Sequence, residues 1–138
     1  MMRRVGCCLL LGAFVACVAW AETTLAQGGD GGFPYDHELL LDARPMPGSK
    51  RIPNMDVGAD GSIALEMWCN RVEGQMVIAG DTVTVITGQP TARSCPPQRA
   101  RADDDLLEAL NGVTNWRWQG DAMVLIGSKT LRFRVPTN

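Results

Sequence analysis

The sequence predicts an α+β domain, a small antiparallel, barrel-like β-sheet carrying one helix. Three observations carry this. Short runs of alternating apolar and polar residues, separated by glycine-bearing turns, recur along most of residues 33–138. A single stretch, Leu106-Leu107-Glu108-Ala109-Leu110, breaks that period for a helical one. About 110 residues remain once a leader is set aside, enough for one domain and too few for two.

The leader is read from Met1-Met2-Arg3-Arg4, a basic start, and the uncharged run VGCCLLLGAFVACVA from Val5 to Ala19. This run falls short of the ~20 residues that span a bilayer as a helix. A basic start, an apolar run and a small-residue exit make a secretory signal, assigned to residues 1–26. Ala19-Trp20-Ala21 and Thr24-Leu25-Ala26 are alternative exits. A third is lipidation at Cys17, after Phe14-Val15-Ala16, although phenylalanine is a poor first residue for such a site. The expected location is therefore periplasmic or secreted, with a membrane-anchored lipoprotein as the alternative. Residues 27–32 (QGGDGG) read as a flexible glycine-rich linker.

Strands are expected over 35–41, 52–57, 63–69, 75–78 and 82–86. In the third, Ile63, Leu65, Met67 and Cys69 share a face, which leaves Trp68 in the opposite phase as a candidate contact surface. Residues 43–50 and 87–97, rich in proline, are connections. Ahead of the helix stand Asp103, Asp104 and Asp105, read as capping and solubilising groups, and Gly112 is read as a left-handed exit. Three strands then close the chain: 113–118, 123–126 and 131–135. On the first, Trp116 and Trp118 share a face and are either core filler or the lining of a cavity.

Removing residues 1–26 leaves eleven Lys plus Arg against fourteen Asp plus Glu, a net charge of −3. That average offers no field for DNA, RNA or anionic lipid, so no nucleic-acid partner is expected, and membrane contact only through a lipid anchor. With Cys7, Cys8 and Cys17 in the leader, Cys69 and Cys95 can pair in only one way in an oxidising compartment. A disulfide across that loop contributes about 3 kcal/mol on the chain-entropy view. Two thiols with one distant histidine, His37, make a poor zinc site, and no C-x-x-C occurs. No P-loop, H-E-x-x-H, G-x-G-x-x-G or G-x-S-x-G is present, so neither a catalytic residue nor a cofactor is expected.

From about Ile52 to Val135 the chain resembles the META domain family, the HslJ-like heat-shock proteins of bacterial envelopes. Cys69-Asn70 with Gly74, and Thr91 with Cys95, stand where that family has its G-C-N-x-x-x-G and T-x-x-x-C blocks. Leu106–Leu110 resembles its leucine-rich helix, and Gly120–Leu125 with Leu131-Arg132-Phe133 its closing strands. Trp68 replaces the family's first glycine and Arg93-Ser94 its Met-Ala, which touches any shared ligand surface; Arg71 and Arg93 join Trp68 as candidate contact residues. The resemblance implies a small exported domain without catalytic residues, tied to heat stress, antibiotic tolerance or envelope upkeep. Its partner is expected to be an envelope protein or an apolar ligand, and its state monomeric. An inhibitor of a lysozyme-type enzyme and a small lipid-binding barrel are the alternatives.

Overall fold

The computed structural model describes residues 31–136. The leader, Cys17 and most of the linker lie outside the described residues. Eight antiparallel strands form a closed barrel in chain order. They are β1 (His37–Leu41), β2 (Asn54–Val57), β3 (Ser62–Glu66), β4 (Arg71–Ala79), β5 (Thr82–Thr87), β6 (Val113–Gln119), β7 (Ala122–Gly127) and β8 (Thr130–Arg134). Pairing of Leu41 with Phe133 closes the ring between β1 and β8. The single helix among the described residues, α1 (Pro97–Asn111), is inserted between β5 and β6, whose only registered pair is Thr82 with Asn115.

Period two sorts the side chains. Leu39, Met55, Leu65 and Val72 face one another across β1 to β4, and Met123 faces Phe133 across β7 and β8. All six are essentially fully buried. Each such side chain removed from water contributes about 1.5–3 kcal/mol, so the filled interior is the main source of stability. Leu106 and Leu110 of α1 join the same core, which makes the helix a lid on one end of the barrel. Gly80, at a φ of 63°, turns the chain between β4 and β5 as its hairpin position requires.

Three expectations are corrected here. The helix begins two turns before the aspartates, with Pro97 in its first turn, where a missing N–H costs nothing. Asp103 is consequently a buried mid-helix residue and not a cap, while Asp104 and Asp105 remain exposed. Gly112 ends the helix at a φ of −89°, outside the left-handed region. The third strand stops at Glu66, so Trp68 and Cys69 lie in a bend instead of a strand. Order also reaches into the linker: Gly31 and Gly32 accept hydrogen bonds from Trp118.

Candidate functional site

At the helix-lidded end, the turn from β3 to β4 is closed by the Met67 N–H donating to the Asn70 carbonyl at 2.8 Å. That turn leaves two amides without a strand partner, those of Cys69 and Asn70. Both donate to Asp103, at 3.1 and 2.7 Å. An ionised carboxylate taking two backbone N–H groups satisfies what would otherwise be buried orphans. The helix thus grips the turn through one side chain that is 4% exposed.

Asn70 then organises the connection between β5 and α1. Its Oδ1 accepts from the Thr91 hydroxyl at 3.0 Å and the Arg93 N–H at 2.9 Å, while Nδ2 donates to Cys95 Sγ at 3.3 Å. A side-chain amide carries a separate acceptor oxygen and donor nitrogen on one short arm, so the three contacts can be made at once. Thr91 answers with the next residue: its Oγ1 accepts from the Arg71 N–H at 3.0 Å, and its own N–H donates to the Arg71 carbonyl at 2.9 Å. The Cys69–Cys95 disulfide, with a separation of 26 residues, fastens the assembly covalently.

Gly74 serves the same end by another route. It lies in β4 opposite Ile63 of β3 and Thr87 of β5. A Cβ there would collide with the Ile86 carbonyl oxygen and press on Thr87, so the strands can approach only over glycine. Cys69, Asn70, Thr91 and Cys95 are therefore brought into one knot, with Gly74 shaping the sheet beside it.

The remaining predicted residues sort as follows. Arg71 lies between Glu66 and Glu73, at 3.5 and 3.1 Å, and Arg51 reaches Glu66 at 3.6 Å. These pairs are half exposed and weakly stabilising. Arg93 is exposed, with a long contact of 3.5 Å from its guanidinium to the Cys69 carbonyl. Trp68 is half-buried in the turn, less free than its strand phase suggested. His37 is exposed, with Nδ1 at 2.6 Å from the Tyr35 carbonyl.

Trp116 and Trp118 are not at this end; both are half-buried and pack against the hydrophobic core. β4 runs from the knot at Arg71 to the turn at Gly80, and the Trp116 indole donates to the Gly80 carbonyl at 2.8 Å. Phe33 packs edge-on against Trp116, with ring centroids 5.1 Å apart. The Trp118 indole donates to Gly31 and Gly32 at 2.7 and 3.2 Å. These aromatics pack against the core at the far mouth of the barrel, Phe33 buried and the two indoles half-buried.

Asp103 is the residue that sequence reasoning missed. Its carboxylate and the two sulfurs lie within 4.8 Å of one another, the donor set of a metal site. Here the sulfurs are spent on each other, and the carboxylate on amides. The signal was present: Asp103, Leu106 and Leu110 fall at i, i+3 and i+7, one helical face.

A family model for the META domain matches residues 37–136. Among solved structures, a protein from Burkholderia xenovorans is similar at a TM-score of 0.61 and 17% identity, over 75% of this chain and 84% of that one. A second solution structure matches at 0.58 and 19%, over 72% and 89%. A DUF4847 family protein from Bacteroides vulgatus reaches 0.49 and 20%, over 59% and 57%, too partial a likeness to bear on this chain. No curated protein matches. The two fuller likenesses agree with the barrel, and the family model spans β1 to β8 with the entire knot between them. The chain belongs to the META domain family.

Proposed function

We propose that this protein is a non-enzymatic exported domain that supports tolerance of heat or antibiotic stress in a bacterial envelope, and that it acts by binding. One observation carries the reading. Every polar group of the family motif that the knot contains is turned inward, onto another part of the knot. Such residues hold a loop in place and leave no spare nucleophile, base or metal ligand among themselves. The leader read from residues 1–26 and the paired cysteines support an oxidising compartment, periplasmic or secreted.

The reading predicts that a strain lacking the protein is more sensitive to heat and to envelope-active drugs, and that the intact chain restores it. Unchanged sensitivity in the deletion strain contradicts it. The intact mass of the protein from cells separates cleavage after Ala21 or Ala26 from an acylated Cys17. The lysozyme-inhibitor alternative loses support at Trp68: the turn that carries it is flanked by Arg51 and Arg93, and lysozymes are themselves basic. A turbidity assay with purified protein at micromolar concentration is expected to show no inhibition.

A further inference from the structure

The net charge of the chain conceals a segregation. Among the described residues, Arg44, Lys50, Arg93, Arg99, Arg101 and Arg117 have no carboxylate within ion-pair distance, whereas Arg51, Arg71, Lys129, Arg132 and Arg134 each have at least one. Apart from Arg117 on β6, these unpaired cations belong to two segments, the loop after β1 and the stretch entering α1, and residues 43–53 and 88–102 contain no carboxylate. A hydrogen bond of 2.8 Å from the Arg99 guanidinium to the Gly48 carbonyl holds those segments together. They therefore share the helix-lidded end with the knot. Asp36, Asp56, Asp60, Asp81 and Asp121 sit at or beside the turns of the opposite end. The two segments thus form a basic patch on the lidded end, set beside the exposed Asp104, Asp105 and Glu108 further along α1.

Trp68 adds the second feature of that end. Its turn lies between Glu66, which Arg51 pairs, and Cys69, whose carbonyl Arg93 contacts. A half-buried indole in a turn whose neighbours are contacted by arginines has the composition of a membrane–water interface, where indole settles at headgroup depth and cations meet phosphates. The surrounding loops carry exposed Pro45, Pro47 and Pro96. They lack the apolar centre that a stable protein interface of about 800 Å² per partner requires. A planar surface of many shallow phosphates fits this face better than a folded acidic protein.

We propose that the lidded end of the barrel docks onto an anionic phospholipid surface, with Arg44, Lys50, Arg93, Arg99 and Arg101 facing the phosphates and Trp68 seated among the headgroups. This deepens the envelope reading and rests on it for the presence of such a surface. The expectation of no field for anionic lipid averaged both ends into one number. The field that matters is local, within a Debye length of about 8 Å.

The test is co-sedimentation of the protein purified from cells with two kinds of vesicle, pure phosphatidylcholine and phosphatidylcholine with one-third phosphatidylglycerol. Binding is expected at least about tenfold stronger on the anionic vesicles and lost in high salt, since each cation brought to the surface contributes about fivefold. Neutralisation by Arg44→Gln, Lys50→Gln and Arg101→Gln together, all exposed side chains, should weaken it about a hundredfold on the same scale. Reversal of Arg117→Glu, on the outer face of β6, should leave it unchanged. A lipid with brominated chains should quench part of the emission in the wild type and less in Trp68→Phe. Equal binding to both vesicles in high and low salt is an acyl anchor alone and overturns the proposal. So does wild-type affinity in the triple variant with an unchanged melting temperature. Capture by soluble polyglutamate without vesicle binding gives the face to an acidic protein and overturns it equally. None of these outcomes bears on the stress phenotype of the deletion strain, so the two readings fail separately.

Discussion

The two mouths of this barrel are shut by different chemistry. At one, α1 covers the interior and a polar knot of Cys69, Asn70, Thr91, Cys95 and Asp103 fastens the loop ahead of it. At the other, Phe33, Trp116 and Trp118 fill the opening with rings. The difference follows from what each segment has to offer. Residues 88–96 (GQPTARSCP) contain no large apolar side chain, so burial cannot hold them, and directional bonds must. The aromatic end needs only area and one satisfied N–H per indole.

Each end can be broken by its own means. Trp116→Ala should have the largest effect, a loss of about 3–5 kcal/mol of stability, because the ring supports Phe33 as well as the mouth itself. Chemical denaturation measures it, and a loss below about 1 kcal/mol contradicts a packed aromatic plug. Removing the disulfide with Cys69→Ala and Cys95→Ala should cost about 2–4 kcal/mol, with a matching fall in the wild type under a dithiol. The variant should stay folded, because the barrel closes without that bond.

Asp103 sharpens the contrast next. Asp103→Ala leaves the amides of Cys69 and Asn70 buried without an acceptor, a loss of about 2–4 kcal/mol. Asp103→Leu, which extends the apolar helix face, should be no better, since the missing element is an acceptor and not volume. Amide exchange at Cys69 and Asn70 should speed up in both variants while Leu39 and Met123 stay protected.

The closing meander is legible in the sequence, because Leu131-Arg132-Phe133-Arg134 alternates in strict period two over a one-sided sheet. The start of the helix is not legible. Residues 97–105 are small, polar or charged, and the aspartate run imitates a cap, so the apolar stripe alone begins at Leu106. Tertiary contact decides the matter: Asp103 is helical because its carboxylate has amides to meet. The cysteine pairing follows from counting thiols, but the reason for Asn70, Thr91 and Gly74 lies in residues distant in sequence, which only the fold brings together. Trp68 misleads through its phase, since a strand that ends at Glu66 no longer dictates where it points.

The smallest effect belongs to the far end. The Ser62 hydroxyl and its N–H, the latter at 2.9 Å, hold the exposed Asp60 carboxyl below the usual aspartate range. A group with a lowered folded pKa adds stability above its unfolded value and loses it as pH falls through the folded one. Asp60 should therefore titrate below an ordinary aspartate by NMR, and Asp60→Asn should flatten only the acid limb of stability, with the knot unaffected.

The central claim is that the family motif is one cooperative lock. A double-mutant cycle between Asn70→Ala and Asp103→Ala tests it most directly, with Asn70→Ala and Trp116→Ala as the cross-barrel reference. The account predicts a coupling of at least about 1 kcal/mol for the first pair and additivity within about 0.5 kcal/mol for the second. Additive losses at Asn70 and Asp103 would contradict it, and the motif would then be a set of independent contacts that happen to lie together.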